Sequence, residues 1–261
     1  TAASLAAADL RGADLTGTDL DGVRLHDADF SDAKLTRCRL AGSSWPGAKL
    51  DNVDLSGSDL SGADLRGAAV VRRLSLKGAK LTGVRFARAD LANIDLREVD
   101  LSGAALIDCR LGKANLDGAR LDGADFSGSD LREASLRSAQ GKSVRASRAR
   151  LTGADLTLAQ LPGLTAPYID LTDAKLLRVE LSDSELEGAR FDSAKLEFVL
   201  LSRASLLRAR FLGTDLRSCS FADAKLDYGD FSKAKLGECL FARATVRGTS
   251  FGQTTEVRTD W

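Results

Sequence analysis

Large apolar residues return at every fifth position of the chain. They stand at Leu5, Leu10, Leu15, Leu20, Leu25, Phe30, Leu35 and Leu40, then at Trp45, Leu50, Leu55, Leu60, Leu65 and Val70. Two places before each of these centres is Ala, Ser, Thr, Cys or Val, the places between are mostly polar, and Gly often follows two places after. One residue is inserted within Val70-Val71-Arg72-Arg73-Leu74, and the register resumes at Leu76, Leu81, Phe86 and Leu91 and runs on to Phe251. Self-similarity at a fixed period determines the fold before any local reading.

A period of five matches neither the 3.6 of a helix nor the 2 of a strand. Each unit must therefore be a short extended segment plus a corner. In the extended part, residues two apart share a face, so the small residue and the centre both point inward and the residue between them points out. The last two positions must turn the chain. About four-fifths of the glycines lie two places after a centre, as a type II turn requires at its second corner. Pro46, Pro162 and Pro167 lie one place after a centre, and Pro46-Gly47 and Pro162-Gly163 form the complete Pro-Gly pair.

Four segments and four corners close a square coil of 20 residues, and coils stack about 4.8 Å apart through parallel backbone pairing. About 13 such coils make a rod on the order of 60 Å long, its interior filled by small residues and Leu or Phe, with no space for a cofactor. The units Ala13-Asp14-Leu15, Ala63-Asp64-Leu65, Ala89-Asp90-Leu91, Ala114-Asn115-Leu116 and Ala154-Asp155-Leu156 resemble the Ala-(Asp or Asn)-Leu-X-X pattern of the pentapeptide-repeat proteins. The resemblance covers practically the whole chain. It implies an all-β, right-handed quadrilateral parallel β-helix; the handedness comes from the family and not from the spacing.

The expected organisation is one domain over 1–261, with the insertion near Val71 as a bulge and a C-terminal cap at about 254–261, where Glu256 takes a centre position and Trp261 covers the last coil. The chain lacks an initiator Met and is already in register at Ala3 and Leu5, so it is expected to belong to a longer polypeptide. Acidic and basic residues balance at 37 each, so no overall field selects a nucleic acid, an anionic membrane or a cationic partner. Apolar runs are only a few residues long and the first residues do not resemble a signal peptide, so a cytoplasmic protein without a membrane span is expected.

Some units break the rule. Val144-Arg145-Ala146 and Leu164-Thr165-Ala166 exchange the large and small inward residues at about constant volume. Gly141 follows Ala139 with no such compensation, and underpacking is expected from Ala139 to Ser143.

Candidate chemistry is sparse. His26, the one histidine, is on an outward position with no second histidine to complete a metal site or a triad. Cys38, Cys109, Cys219 and Cys239 take the small inward position, where reduced core thiols are expected; a disulfide between Cys219 and Cys239, one coil apart, is conceivable on distance alone. The aspartates before the centres form no calcium-ligand spacing and are expected to be a solvated surface ladder. Arg137, Lys142, Arg145, Arg148 and Arg150 wrap the coils as a band without interleaved aromatics, which disfavours direct nucleic-acid binding.

The informative departure is the set of apolar residues on outward positions of the C-terminal half: Leu158, Leu177, Phe198, Leu200, Leu207, Leu212 and Leu240. Leu158 and Phe198 share a column with Arg178 between them, Leu177 adjoins it, and Leu200 and Leu240 share the next outward column. The candidate interaction surface is thus Leu158, Leu177, Phe198, Leu200 and Leu240, for a protein partner or a second copy. The function expected is a non-catalytic scaffold or targeting module without cofactor or metal. The alternative, taken from the family resemblance, is mimicry of duplex DNA to bind DNA gyrase and confer resistance to quinolones or other topoisomerase poisons. Mimicry needs an acidic face, and the outward charges of each side of the square nearly cancel.

Overall fold

A computed structural model describes residues 3–68 and 73–260 of the chain. At most corners the carbonyl of the centre accepts the N–H three residues on, as from Ala63 to Leu60 at 2.9 Å and from Ala119 to Leu116 at 3.0 Å. The second corner residue has positive φ throughout, as at Gly123 (66°), Asp32 (63°) and Asn93 (60°). Positive φ at the second corner alone defines the expected type II turn. The turn hydrogen bond is 3.2–3.3 Å before Val23, Ile94, Val99 and Ile169, and also before Ala28.

Coils stack by parallel pairing of outward residues 20 apart, as Asn115 with Ser135 and Ser135 with Asp155. In each pairing the centre N–H donates to the coil ahead (Leu116 to Ser135, 2.7 Å), and the outward residue donates to the coil behind (Ser135 to Ala114, 2.9 Å). No helix is present among the described residues, and the architecture is a parallel β-solenoid.

The insertion changes this step. Asp54 pairs with Ser75, Asp59 with Lys80 and Asp64 with Arg85, each 21 apart, and the step returns to 20 at Arg85 with Ala105. Val71 itself is outside the described residues. Just beyond it, the pairings of Ser75 with Asp95 and of Lys80 with Asp100 are absent, the only missing steps among the described residues. A cleft of about 700 Å³ opens there, lined by Leu74, Leu76, Leu91 and Ile94 among others.

One corner widens in the C-terminal half. Its turn hydrogen bond is missing, and the pairing lengthens into five three-residue strands, β1 (Lys175–Leu177), β2 (Lys195–Glu197), β3 (Asp215–Arg217), β4 (Lys235–Gly237) and β5 (Thr255–Val257). They form one parallel sheet in the order β1-β2-β3-β4-β5. The inward residues after this corner are Val179, Val199, Cys219, Cys239 and Thr259, all larger than Ala.

The interior is a continuous column of buried centres and small residues. Near the C-terminal end it becomes aromatic. Phe191, Phe211 and Phe231 stack face to face in successive coils, with centroids 4.7 and 4.4 Å apart, and Phe221 meets Phe211 edge to face at 5.7 Å. All four cysteines are free and buried, and each thiol donates to the carbonyl 23 residues back, as Cys109 to Phe86 at 3.2 Å. Burial pushes the Cys109 thiol up to about 11, so it is protonated and unreactive at neutral pH.

Gly141 departs from expectation. A Cβ there would lie 2.7 Å from the Leu121 carbonyl carbon and 2.8 Å from Val144 Cγ2, so the backbone lies against Leu121 of the coil behind and Val144 fills the space of the missing side chain. The deficit appears as a surface depression lined by Gln140, Gly141, Lys142 and Pro162. A separate internal void of about 30 Å³ lies beside the exchanged pairs, lined by Val144, Ala146 and Leu164 among others. At the C-terminal end Glu256 is exposed in β5, opposite Leu236 of β4, and Trp261 is outside the described residues.

The aspartates do more than solvate the surface. The N–H of the first corner residue has no backbone partner in the stack, and the Asp two places before accepts it, as Asp14 from Thr16 at 3.1 Å and Asp59 from Ser61 at 3.0 Å. Their other oxygens pair with cations of the same or neighbouring coils, as in Arg66–Asp64 (2.6 Å) and Lys49–Asp29 (3.1 Å). The hydroxyl and N–H of Ser31, with the Lys49 ammonium, hold the Asp29 carboxyl down to about 2. For Asp64 the Arg66 guanidinium is the main cause of its lowering. A carboxylate whose folded value is depressed contributes stability above its unfolded value near 4, and that contribution is lost as pH falls through the folded value. The rod is therefore expected to keep its far-ultraviolet circular dichroism at pH 4 and to lose stability progressively as the pH falls from about 4 toward 2. Unfolding already complete at pH 4 would contradict the depressed carboxylates.

Candidate interaction surface

The widened corner carries the apolar stripe. Leu158 and Phe198 are the second corner residues of their turns, with φ of 64° and 54°. The left-handed conformation disfavours a side chain as large as Leu or Phe by about 1 kcal/mol or more relative to Gly. Both are also exposed, at 42% and 46%, and Leu200 is exposed at 43%. Leu177 and Leu240 are half-buried, as are Leu207 and Leu212. Two unfavourable features, strained backbone and wetted apolar surface, thus coincide at Leu158 and Phe198.

The arrangement follows the sheet. The N–H of Leu158 donates to the carbonyl of Leu177 in β1 at 2.8 Å, which brings the two side chains' columns together. The Arg178 guanidinium lies over the Phe198 ring, 5.8 Å from its centroid. Beyond Phe198 the corner residues are Arg217 and Ser218, then Gly237 and Glu238, and a groove opened at the two small residues runs to Val257, itself exposed. On one flank are Lys175, Lys195, Asp215 and Lys235. Lys175 pairs with Asp155 at 3.5 Å and Asp215 with Arg217 at 3.0 Å, while Lys195 and Lys235 have no carboxylate partner among the described residues. Glu197 stands nearer the apex, and the opposite flank carries Glu180, Leu200, Ser220 and Leu240.

The diagonally opposite corner holds two residues that the sequence analysis passed over. Tyr168 (φ 60°) and Tyr228 (φ 61°) are exposed, and each ring lies across a glycine of the next coil. A Cβ at Gly188 would fall 2.6 Å from the Tyr168 ring and one at Gly248 2.9 Å from the Tyr228 ring. The available signal was an aromatic residue at a second corner with Gly 20 places on. Both rings lie on their own rod and are nevertheless exposed at 55% and 59%, against 46% for Phe198, but each carries a hydroxyl that water can solvate.

The remaining candidates do not gather into a site. His26 is half-buried and bonds Ser44 Oγ at 3.2 Å. No cluster of three or more His, Cys, Asp or Glu suited to a metal occurs among the described residues. Within the basic band, Arg137 pairs with Asp155, Arg145 with Asp125 and Arg150 with Asp130, so much of its charge is neutralised locally.

Comparison with known proteins agrees with this architecture. The family model for pentapeptide repeats matches residues 1–37, 33–68, 75–112, 109–140, 119–157, 184–222 and 194–237. No curated protein matches the sequence. Among solved structures, a trypsin-treated form of QnrB1, a plasmid-mediated fluoroquinolone resistance protein, is 19% identical, with 76% of this chain and 89% of that one covered and a TM-score of 0.41. HetL, a pentapeptide repeat protein involved in heterocyst differentiation regulation from the cyanobacterium Nostoc, is 25% identical over 95% of this chain and 90% of its own, with a TM-score of 0.22. A pentapeptide repeat protein from the Arabidopsis thaliana thylakoid lumen is 30% identical over 48% of this chain and 72% of its own, with a TM-score of 0.26. On the family match, which covers most of its length, the chain belongs to the pentapeptide-repeat family.

Proposed function

We propose that the chain is a non-catalytic protein-binding rod, a scaffold or targeting module that presents the corner of Leu158, Leu177, Phe198, Leu200 and Leu240 to a protein partner. The observation that carries this reading is Phe198, a large apolar side chain held in solvent at a backbone position that favours Gly, Asn or Asp. A contact surface accounts for that cost, since the ring buries its area only on association. The Phe198→Asp variant is expected to be as stable as the parent, or more stable by up to about 1 kcal/mol, because Asp tolerates positive φ. Urea midpoints of the two proteins check this. A loss of more than about 1 kcal/mol would mean that the ring packs on its own coil and would remove the reading.

The alternative, binding DNA gyrase by imitation of duplex DNA, needs a face of unopposed carboxylates. Here Asp29, Asp64, Asp130, Asp183 and Asp223 each have a Lys or Arg partner. The scaffold reading therefore expects no inhibition of gyrase supercoiling and no protection against quinolones at micromolar protein.

A further inference from the structure

Leu158 and Phe198, Lys195 and Lys235, and Leu200 and Leu240 are each 40 positions apart (198 − 158, 235 − 195, 240 − 200), which is two coils. At the spacing of parallel strands, two coils advance about 9.6 Å along the rod. Seven residues of an α-helix, two turns, advance about 10.5 Å. An extended strand returns a side chain to the same face only every 6.6 Å or so and falls out of step.

Resting on the reading above that this corner is an interaction surface, we propose that it receives an amphipathic α-helix of a partner protein, laid along the rod axis, with an apolar heptad stripe and carboxylates along one edge. The stripe lies over Leu158, Phe198 and Leu200, and one apolar side chain enters the groove between Phe198 and Val257, where Ser218 and Gly237 leave room. Carboxylates seven residues apart on the partner meet Lys195 and Lys235, the two cations of this flank without an ion pair among the described residues. Arg178, already over the Phe198 ring, adds a third cation at the apex. A second copy of this chain fits less well on charge. Two-fold pairing with antiparallel rods sets the Lys195 and Lys235 flank against itself, and pairing with parallel rods sets Arg178 against Arg178.

The test uses three fluorescein-labelled peptides of 18 residues, read by anisotropy at low ionic strength against the full chain. One carries Leu at heptad positions and Glu along one edge, the second replaces those Glu by Lys, and the third is the Glu peptide with two central prolines. The Glu peptide is expected to bind the protein, and the Lys and proline peptides to bind about tenfold more weakly. Phe198→Asp should weaken the Glu peptide about tenfold, and Lys195→Gln with Lys235→Gln should abolish the preference for the Glu peptide over the Lys peptide while leaving the far-ultraviolet circular dichroism of the folded rod in place. Equal binding of the Glu and Lys peptides, or of the proline peptide and the intact helix, overturns the proposal. So does a concentration-dependent doubling of mass that Phe198→Asp abolishes, which assigns the corner to a second copy. Photo-crosslinking from a benzoylphenylalanine at position 198 in the producing cell separates the two levels of failure. A crosslinked protein without any peptide binding overturns the helix alone; no crosslink and no peptide binding overturns the interaction surface with it.

Discussion

Phe211→Ala is expected to destabilise the rod by about 3–5 kcal/mol. Phe211 is fully buried and touches three other rings, stacked on Phe191 and Phe231 and edge-on to Phe221. Its neighbours cannot collapse into the void, because each is held at the coil spacing by backbone pairing above and below, Arg190 with Arg210 and Arg210 with Asp230. The cavity term therefore adds in full to the lost transfer free energy. Phe211→Leu, which restores the commonest centre residue, should cost less than half as much. Denaturant midpoints of the two variants check the claim, and a cost below about 1.5 kcal/mol for the alanine would show that the coils relax around the gap.

Gly141→Leu puts the family's usual residue at a centre position and is nevertheless expected to destabilise by about 3 kcal/mol. The Leu121 carbonyl carbon at 2.7 Å is backbone, fixed by its own ladder, and cannot yield as a side chain would. Val144 Cγ2, at 2.8 Å, is the obstruction that can be removed. Adding Val144→Ala should recover part of the loss, since it removes the Cγ2 contact, although the approach of the backbone to Leu121 remains. A single variant as stable as the parent would mean that the coil is elastic enough to move away from Leu121. Costs that merely add in the double variant would mean that Val144 does not occupy the missing volume.

Much of the fold was legible because every unit repeats the same physical problem. Inward and outward positions, the corner and its positive φ follow from period and turn chemistry alone, and Asn93 or Asp32 replaces Gly where the left-handed conformation allows. What could not be read depends on several coils at once. The widened corner at β1–β5 coincides with Val179, Val199, Cys219 and Cys239 standing in one column, which no single unit reveals. At Gly141 the sequence indicates lost volume but not that the backbone would lie against Leu121 and Val144 fill the space. The role of Asp59 toward the Ser61 N–H required counting which donors the ladder leaves unpaired. The candidate surface was visible as Leu and Phe on outward positions, but the strain at Leu158 and Phe198, the bare Lys195 and Lys235 and the groove up to Val257 appear only in three dimensions.

The two absent pairings, Ser75 with Asp95 and Lys80 with Asp100, also set how the rod answers a pull. Each coil touches only the coils beside it, so a load applied at the two ends passes through every interface in series. A series arrangement yields at the interface with the fewest bonds, and here two of the four sides carry none. Stretched along its length, the rod is expected to part at this junction first, with the coils on either side still wound. A protein that tethers a partner through its C-terminal half would then have a built-in break point, set by a single extra residue in the repeat.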